Sequence, residues 1–581
     1  MRVTTSKSKN SESFYINFAY IDENGKSTSR IYRKLGTLKE LSQKLNTDRD
    51  GVMAWAKEQA RLDTEKYNKE NEILSIPFSP NQLIEKGTQH SFNCGYLFLQ
   101  SILADLRIDN MCRNIKNRHK YEFDLKAIFS DLIYSRILYP SSKRSSYNFA
   151  QSLLEQPKYD LHHIYRSLPI LASESDYIQA EVYRNSNFIH KRNTKILYYD
   201  CTNYYFEITQ EDGDKKYGKG KEHRPNPIIG MGLFMDADGF PLAFDLYPGN
   251  QNEQKTLNPL EQKVIRDFGC SEFIYCSDSG LGSQNNKLLN DTNGRAYIIT
   301  QSLKKLKKEV HSTALDPNQY RKLGSNRFIN LNSLDETDKE VYNSIYYKSI
   351  PIEGTKISET LIVTYSPKYR AYQAKIRQAQ IERAMKMIGK GGKPKKNRKN
   401  PNDPARFIRT TAVTENGEAA SEIFCELNQK IIDQEAMYDG FYAVTTDLDG
   451  DVSEIIAINQ RRWQIEECFR IMKTDFEARP VYVRLEECIK AHFLTCFLAL
   501  LVYRLLEKKL ENKYTVETIL DTLRQMNVCE LEGYGYIPTY KRTDLTDELH
   551  NLFGFRTDTQ IIKKTKMRNI IKCSKMRDKL R

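Results

Sequence analysis

Residues 196–207 (ILYYDCTNYYFE) place an aspartate, Asp200, in the middle of a run of β-branched and aromatic residues. Such a run reads as a buried strand. An acid buried in a strand is costly unless it is paired or holds a metal. The segments that follow are ordered around this strand. Ile228 to Met235 (IIGMGLFM) and Pro241 to Tyr247 (PLAFDLY) read as two more strands, separated by a turn from Asp236 to Gly239. Glu253 to Phe268 patterns as a helix, Glu272 to Ser277 (EFIYCS) as a short strand, Ser283 to Asn290 as a helix and Ala296 to Thr300 (AYIIT) as a fifth strand.

Three antiparallel strands followed by helix, strand, helix and strand is the order of an RNase H-like mixed sheet. The expected fold is multidomain: an RNase H-like α/β catalytic core, built on a mixed five-stranded sheet with helices, interrupted by an insertion domain and preceded by a small β/α module and a helical domain. The expected pieces begin with an N-terminal β-hairpin/helix module (1–85) and a helical region (86–194), which is either a DNA-binding bundle or a plain packing domain. The first part of the core (195–300) is followed by an insertion with a basic loop (301–437), the second part of the core (438–510) and a basic helical C-terminal region (511–581). Within the first module, strands at 13–21 and 28–32 flank a hairpin-type turn from Glu23 to Lys26. Within the second part of the core, Gly440 to Thr446 (GFYAVTT) reads as a strand, Val452 to Phe476 as one long helix and Leu485 to Leu510 as a buried helix.

The net charge of +14 points to a polyanionic partner. Lys386 to Arg409 and Lys563 to Arg581 each hold nine basic residues against one aspartate, so these two stretches account for the whole excess. They read either as solvated tails or as mobile arms that grip phosphates. The eleven cysteines form no CxxC pair and no CxxC/HxxxH set, which argues against a structural zinc site and a disulfide framework and fits a reducing cytoplasm. The first residues (MRVTTSKSKNSES) lack the apolar core of a secretory signal. The apolar run Phe493 to Leu506 is too short and too interrupted to span a bilayer, so no membrane partner is expected.

Asp200 alone is equally readable as an edge-facing residue, a satisfied buried carboxylate or a metal ligand. Asp278 closes a short apolar strand before Ser-Gly-Leu-Gly, where α/β sheets hold ligands; a helix N-cap is the alternative. Asn459, Arg462, Glu466 and Lys473 share one helix face by spacing, with Ile455, Ile458, Ile465, Phe469, Met472 and Phe476 beside it. Spacing alone leaves Glu466 on a solvated face paired with Arg462. Chemistry gives a reason to assemble such a trio. Two Mg²⁺ ions about 4 Å apart activate an attacking oxygen and stabilise a leaving one in phosphodiester chemistry. Hard ions of this kind take carboxylates, and basic residues beside the glutamate would bind the strand's phosphates.

The run from Asn459 to Lys473 (NQRRWQIEECFRIMK) resembles the signature Y-x2-R-x3-E-x6-K of DDE transposases of bacterial insertion sequences, the YREK-signature (IS-four) family, at R, E and K. YYDCTN around Asp200, CSDSGL around Asp278, DGFPLAF with YPGN at 238–250, and YDGF at 438–441 extend the resemblance over roughly residues 195–510. The resemblance implies Asp200, Asp278 and Glu466 as catalytic metal ligands for Mg²⁺ (or Mn²⁺), two ions per active site. It also implies DNA contacts from Asn459, Arg461, Arg462, Trp463, Arg470 and Lys473, to which the basic loop adds Lys393, Lys395, Lys396, Arg398 and Lys399. Double-stranded DNA, as transposon ends and target, is the implied partner, with a homodimer in the DNA complex and a cytoplasmic, nucleoid-associated location. The implied reaction is 3′-OH formation at the ends followed by strand transfer, in some members through a hairpin. Asn459 departs from the signature tyrosine and lacks the aromatic face that would steady a transferred strand. Two other readings share these features: an RNase H-fold nuclease without strand transfer, and a catalytically defective transposase acting as a DNA-binding protein. Neutralising the basic residues of both charged stretches is expected to flatten the salt dependence of DNA binding, measured as the slope of log affinity against log salt.

Overall fold

The computed structural model of the protein describes residues 1–9, 11–21, 26–70, 74–222, 224–291, 294–353, 357–389, 402–413 and 422–577. The chain forms two units, Met1–Thr88 and Gln89–Arg581. The first is an antiparallel sheet in the order β1 (Arg2–Ser8), β2 (Ser11–Ile21), β3 (Ser27–Thr37), followed by α1 (Leu38–Leu45) and α2 (Arg49–Glu70). Alternation along β2 turns Phe14 inward, where it packs with Leu41, Val52 and Ala56. Thr37 and Glu40 close a capping box that starts α1 where β3 ends. The expected turn at Glu23–Lys26 falls largely outside the described residues.

The second unit opens with β4 (Ser91–Asn93) and six helices: α3 (Tyr96–Asp105), α4 (Ile108–Arg118), α5 (Leu125–Leu138), α6 (Lys143–Ala150), α7 (Leu161–Ser173) and α8 (Ser175–Ser186). Next come β5 (Ile196–Tyr205), β6 (Ile228–Asp236), β7 (Pro241–Pro248), α9 (Leu257–Phe268), β8 (Ile274–Ser277), α10 (Gln284–Asn290) and β9 (Ala296–Thr300). These five strands stand in the order β7-β6-β5-β8-β9, with β5, β8 and β9 parallel and the other neighbours antiparallel.

Residues 301–437, expected as an insertion domain, do not form a body apart from this sheet. They contain α11 (Lys308–Leu315), β10 (Tyr320–Lys322), β11 (Phe328–Ile329), α12 (Lys339–Asn343), β12 (Tyr346–Ile352), β13 (Glu359–Tyr365), α13 (Pro367–Gly389), β14 (Ile408–Val413), β15 (Glu422–Leu427) and α14 (Gln429–Ala436). The next strand, β16 (Phe441–Thr446), lies between β9 and β13 and pairs with both. The sheet therefore runs on through β16, β13, β12, β10 and β11 to ten strands, twice the number expected. The physical reason is apolar continuity, because Leu361, Val363 and Ala443 are buried in one core. Only the β14–β15 hairpin stands off the sheet; Ile381 and Ala384 of α13, Phe407 and Ile432 of α14 share a small core beside it.

The chain ends with α15 (Val452–Gln460), α16 (Trp463–Arg470), α17 (Glu486–Lys509), α18 (Val516–Gln525), β17 (Asn527–Leu531), β18 (Gly535–Pro538), α19 (Asp544–Phe553), β19 (Ile562–Lys563) and α20 (Lys564–Ser574). Helix α17 is long and apolar enough to cross a membrane, but 94% of that stretch is buried inside the protein. It packs against α3, α5 and α7, so the helices of residues 96–186 share one core with the sheet. The C-terminal basic stretch differs from a mobile arm over its described part. Lys564–Ser574 is helical and docks on α3, with Met567 and Ile570 buried.

One buried ion pair fixes the sheet to the helices. Arg192 and Asp236 have fully buried side chains and bond through Arg192 Nε. Arg192 also donates to Ser186 Oγ at 2.8 Å and to the Pro241 carbonyl at 3.0 Å, and Asp236 Oδ1 accepts from the Asp238 and Phe240 N–H groups at 3.1 and 3.0 Å. Arg192→Ala strands the Asp236 charge and is expected to cost about 3–5 kcal/mol, read as a lowered urea midpoint; an unchanged midpoint contradicts this assignment.

Candidate active site

Strand β5 is covered on both faces, and its side chains sort by alternation. Leu197, Tyr199 and Cys201 join the core with α9, whereas Tyr198 and Tyr204 join the core that includes Ile465, Cys468 and Phe469 of α16. Asp200 and Thr202 fall on the second face. The segment after β16 runs along that face in the direction of the strand. Tyr198 Oη donates to the Ile458 carbonyl at 2.9 Å, Lys473 Nζ donates to Thr202 Oγ1 at 2.6 Å, and Tyr204 Oη lies 3.9 Å from Met472 Sδ. Arg462 and Glu466 lie between these fixed points in sequence, and the charge of Arg462 is felt at Asp200.

The expected single helix over 452–476 is broken twice. A tight turn at Arg461–Arg462 separates α15 from α16, with Gln464 and Ile465 N–H groups bonding back three residues. Residues Ile471–Asp475 then form a π-helical turn closed by Phe476 N–H on the Ile471 carbonyl at 2.9 Å. Both breaks flank the segment that carries Glu466, and π turns recur where a helix re-aims a side chain.

Asp278 follows β8 directly. The parallel ladder pairs Tyr198 with Cys276 and ends there, so Asp200 lies two residues beyond the last pair on β5 and Asp278 just past the end of β8, near enough for its charge to be felt at Asp200. Asp278 Oδ1 also accepts from the Gly280 N–H at 2.9 Å, which caps the turn after it. Glu466 is exposed and paired with Arg462 at 3.2 Å, the arrangement of an ordinary solvated helix face. The three acids are not drawn tightly together. Among the described residues, the group of three His, Cys, Asp or Glu side chains with all ligand atoms within 4.8 Å is Asp160, His162 and His163, at the start of α7.

Electrostatics link the acids more closely than contact does. Burial pushes the Asp200 carboxyl up to about 6; Lys221 opposes this, Asp278 adds to it, and the Cys201 N–H and Arg462 oppose it. The Cys201 N–H reaches Asp200 Oδ1 at 2.7 Å. Burial lowers Arg462, but Tyr442, Glu466, Asp200 and Asp278 together raise it, so the guanidinium paired with Glu466 also feels the two aspartates. Burial, with Lys221 nearby, lowers Lys473 to about 8 against the pull of Asp200.

Of the expected DNA contacts, Arg461 and Trp463 are exposed beside the site. Arg470 is exposed but engaged with Glu467 and Asp475, each at 3.5 Å. Asn459 is buried, and its Oδ1 has no hydrogen-bond partner among the described residues. Lys393, Lys395, Lys396, Arg398 and Lys399 lie outside the described residues. Sequence patterning missed Lys221 and Tyr442, which reach the site from the β5–β6 loop and from β16. A cleft of about 600 Å³ opens beside Ser279 and is lined by Tyr369, Tyr372, Tyr438, Tyr442, Arg377 and Arg406, among others.

Comparison with known families matches residues 191–502, more than half of the chain, to the family described as Transposase DDE domain. Comparison with curated proteins finds no match. Among solved structures, the cryo-EM structure of the piggyBac transposase synaptic complex with hairpin DNA aligns over 83% of this chain and 84% of that one, at 10% identity and a TM-score of 0.32.

The raised Asp200 group has a sign that can be tested. A carboxyl that titrates near 3.8 unfolded and about 6 folded keeps its proton longer in the fold. Its contribution to stability is therefore complete below the lower value and is lost as pH rises through the higher one. Asp200→Asn is expected to make the metal-free protein more stable at pH 7 by on the order of 2 kcal/mol, with no gain near pH 4. Urea denaturation in EDTA at both pH values checks this, and an equal effect at the two would refute it.

Proposed function

Because the chain belongs to the family of DDE transposase domains, we propose that it is the transposase of a bacterial insertion sequence of the YREK-signature (IS-four) group. It binds the terminal inverted repeats of its element, cleaves the ends by metal-dependent hydrolysis and joins the 3′-OH ends to target DNA. It acts as a homodimer on DNA, in the cytoplasm at the nucleoid. The observation that supports this reading is that Asp200 of β5 and Asp278, just past the end of the neighbouring parallel strand β8, are felt by one another and by Arg462, which is ion-paired to Glu466. The strand order β7-β6-β5-β8-β9 supports an RNase H-like core.

The donor set suits a hard divalent ion. Asp200, Asp278 and Glu466 offer only carboxylate oxygens. The nearest thiol, Cys201, belongs to the opposite face of β5, bonded to Tyr199 and Thr256 and pushed up to about 11 by burial. These three acids would hold two Mg²⁺ or Mn²⁺ ions, which when bound activate the attacking oxygen and stabilise the leaving one.

The remaining work falls to the chain's own side chains. The Cys201 N–H orients the Asp200 carboxylate and the Gly280 N–H that of Asp278. The Arg462–Glu466 pair is open to solvent on the Glu466 side, where an ion pair is worth little, so Arg462 readily exchanges it for a phosphate. Lys473 supplies a second cation from the far end of the same segment. In the adjoining cleft, tyrosine faces and two arginines suit the stacking of unpaired bases near a cut.

The test is to incubate the purified chain with its element's ends, a target plasmid and Mg²⁺. Joined products that form with the wild type and vanish in Asp278→Asn are expected. Cleavage without joining would instead make the protein a nuclease, and salt-sensitive binding without cleavage would make it a DNA-binding protein only.

A further inference from the structure

The helices after β16 are not the only cationic bank at the site. The loop between β5 and β6 returns across the end of β5 and brings Lys221 to Asp200 from the other side. Its path depends on close backbone approach. A Cβ on Gly218 would lie 2.0 Å from the Gly249 carbonyl, and one on Gly249 would lie 2.1 Å from the Ile228 carbonyl. Lys221 N–H then donates to Asn203 Oδ1 at 3.2 Å, and its Nζ donates to the Cys201 carbonyl, one residue from Asp200. Three residues on, the Arg224 guanidinium stacks 4.3 Å over the Tyr205 ring.

Lys221 and Lys473 thus face Asp200 from two elements, close enough that each ammonium is felt at the carboxylate and by the other. Among the described residues neither makes a salt bridge within 4.0 Å; Lys221 donates to a carbonyl, and Lys473 donates to a hydroxyl and lies 5.3 Å over the Tyr204 ring. Lys221, Lys473 and Arg462 set three cations against the carboxylates of Asp200, Asp278 and Glu466. A shortage of negative charge opens once those carboxylates are committed to a cation, as the proposed function requires. A phosphate group on the strand being cut has the charge and the acceptor oxygens to fill it.

We propose that Lys221 is a phosphate-binding residue of the active site, which grips the reacting DNA strand from the β5–β6 loop opposite Lys473. This rests on the transposase reading above. The experiment uses the full chain with its element's end DNA. Lys221→Gln is expected to make the slope of log affinity against log salt shallower by about one. It is also expected to slow cleavage at saturating DNA, and Lys221→Arg is expected to restore the slope. In the wild type, Lys221 is expected to be protected by end DNA from an amine-reactive reagent, read by mass spectrometry, a measurement that needs no variant. Were Lys221 only a brace for its loop, Lys221→Gln would lower the melting temperature and leave the slope alone. That result, or a Lys221 equally reactive with and without DNA, overturns the inference while wild-type cleavage keeps the functional reading. Wild type that neither binds nor cleaves its ends overturns both.

Discussion

Asp200 sits on a strand with protein on both faces, and a carboxylate in that position has few ways to be tolerated. Among the described residues it has no bonded cation, and it accepts from the Cys201 N–H. Its charge is balanced at a distance by Lys221 from the β5–β6 loop and by Arg462 and Lys473 from the segment after β16. Much of the architecture serves to bring them there. The β5–β8 ladder brings the end of β8, and Asp278 after it, beside β5, Tyr198 pins Ile458 of α15, and Thr202 holds Lys473 of the π turn. Helix α17, buried among α3, α5 and α7, lies in the same core as the residues of α16 that face the sheet.

A second carboxylate near a buried one disfavours double ionisation, which is why the half-buried Asp278 contributes to raising Asp200. A divalent ion would relieve that repulsion and free the surrounding cations for another anion. On the proposed function, metal and phosphate binding would be coupled, each making the other more favourable. The sheet's extension matters to the same balance. Strand β16 carries Tyr442 to Arg462, and β13 beyond it carries the chain into α13, whose Tyr369 and Tyr372 line the neighbouring cleft.

The strand order around Asp200 was legible because each of those strands is an apolar run closed by turn residues, from ILYYDCTNYY to AYIIT. The apolar side of the 452–476 segment was legible too: Ile455, Ile465, Phe469, Met472 and Phe476 are all buried. The breaks at Arg461–Arg462 and Ile471–Asp475 were not, since no Pro or Gly marks them and the apolar spacing continues through both. The union of residues 301–437 with the sheet was hidden because β13 pairs with a strand about eighty residues away, a contact local patterning cannot carry. Lys221 was hidden for the same kind of reason. Its only local hint is the pair Gly218 and Gly220, and the contact that uses Gly218 is made by Gly249.

Position 459 bears on the reading differently than its sequence did. As a departure from a signature tyrosine, Asn459 looked like the loss of an aromatic face from the DNA surface. In the fold the side chain is buried at the end of α15, immediately after the residue that receives Tyr198. Its amide oxygen lacks a partner there, a cost of about 1–3 kcal/mol for a buried polar atom. The substitution is therefore felt first as packing and polarity behind the site. Its route to the proposed site runs through the turn at Arg461–Arg462, because the Asn459 carbonyl accepts the Arg462 N–H at 3.2 Å and Arg462 is the cation that pairs with Glu466 and is felt at Asp200.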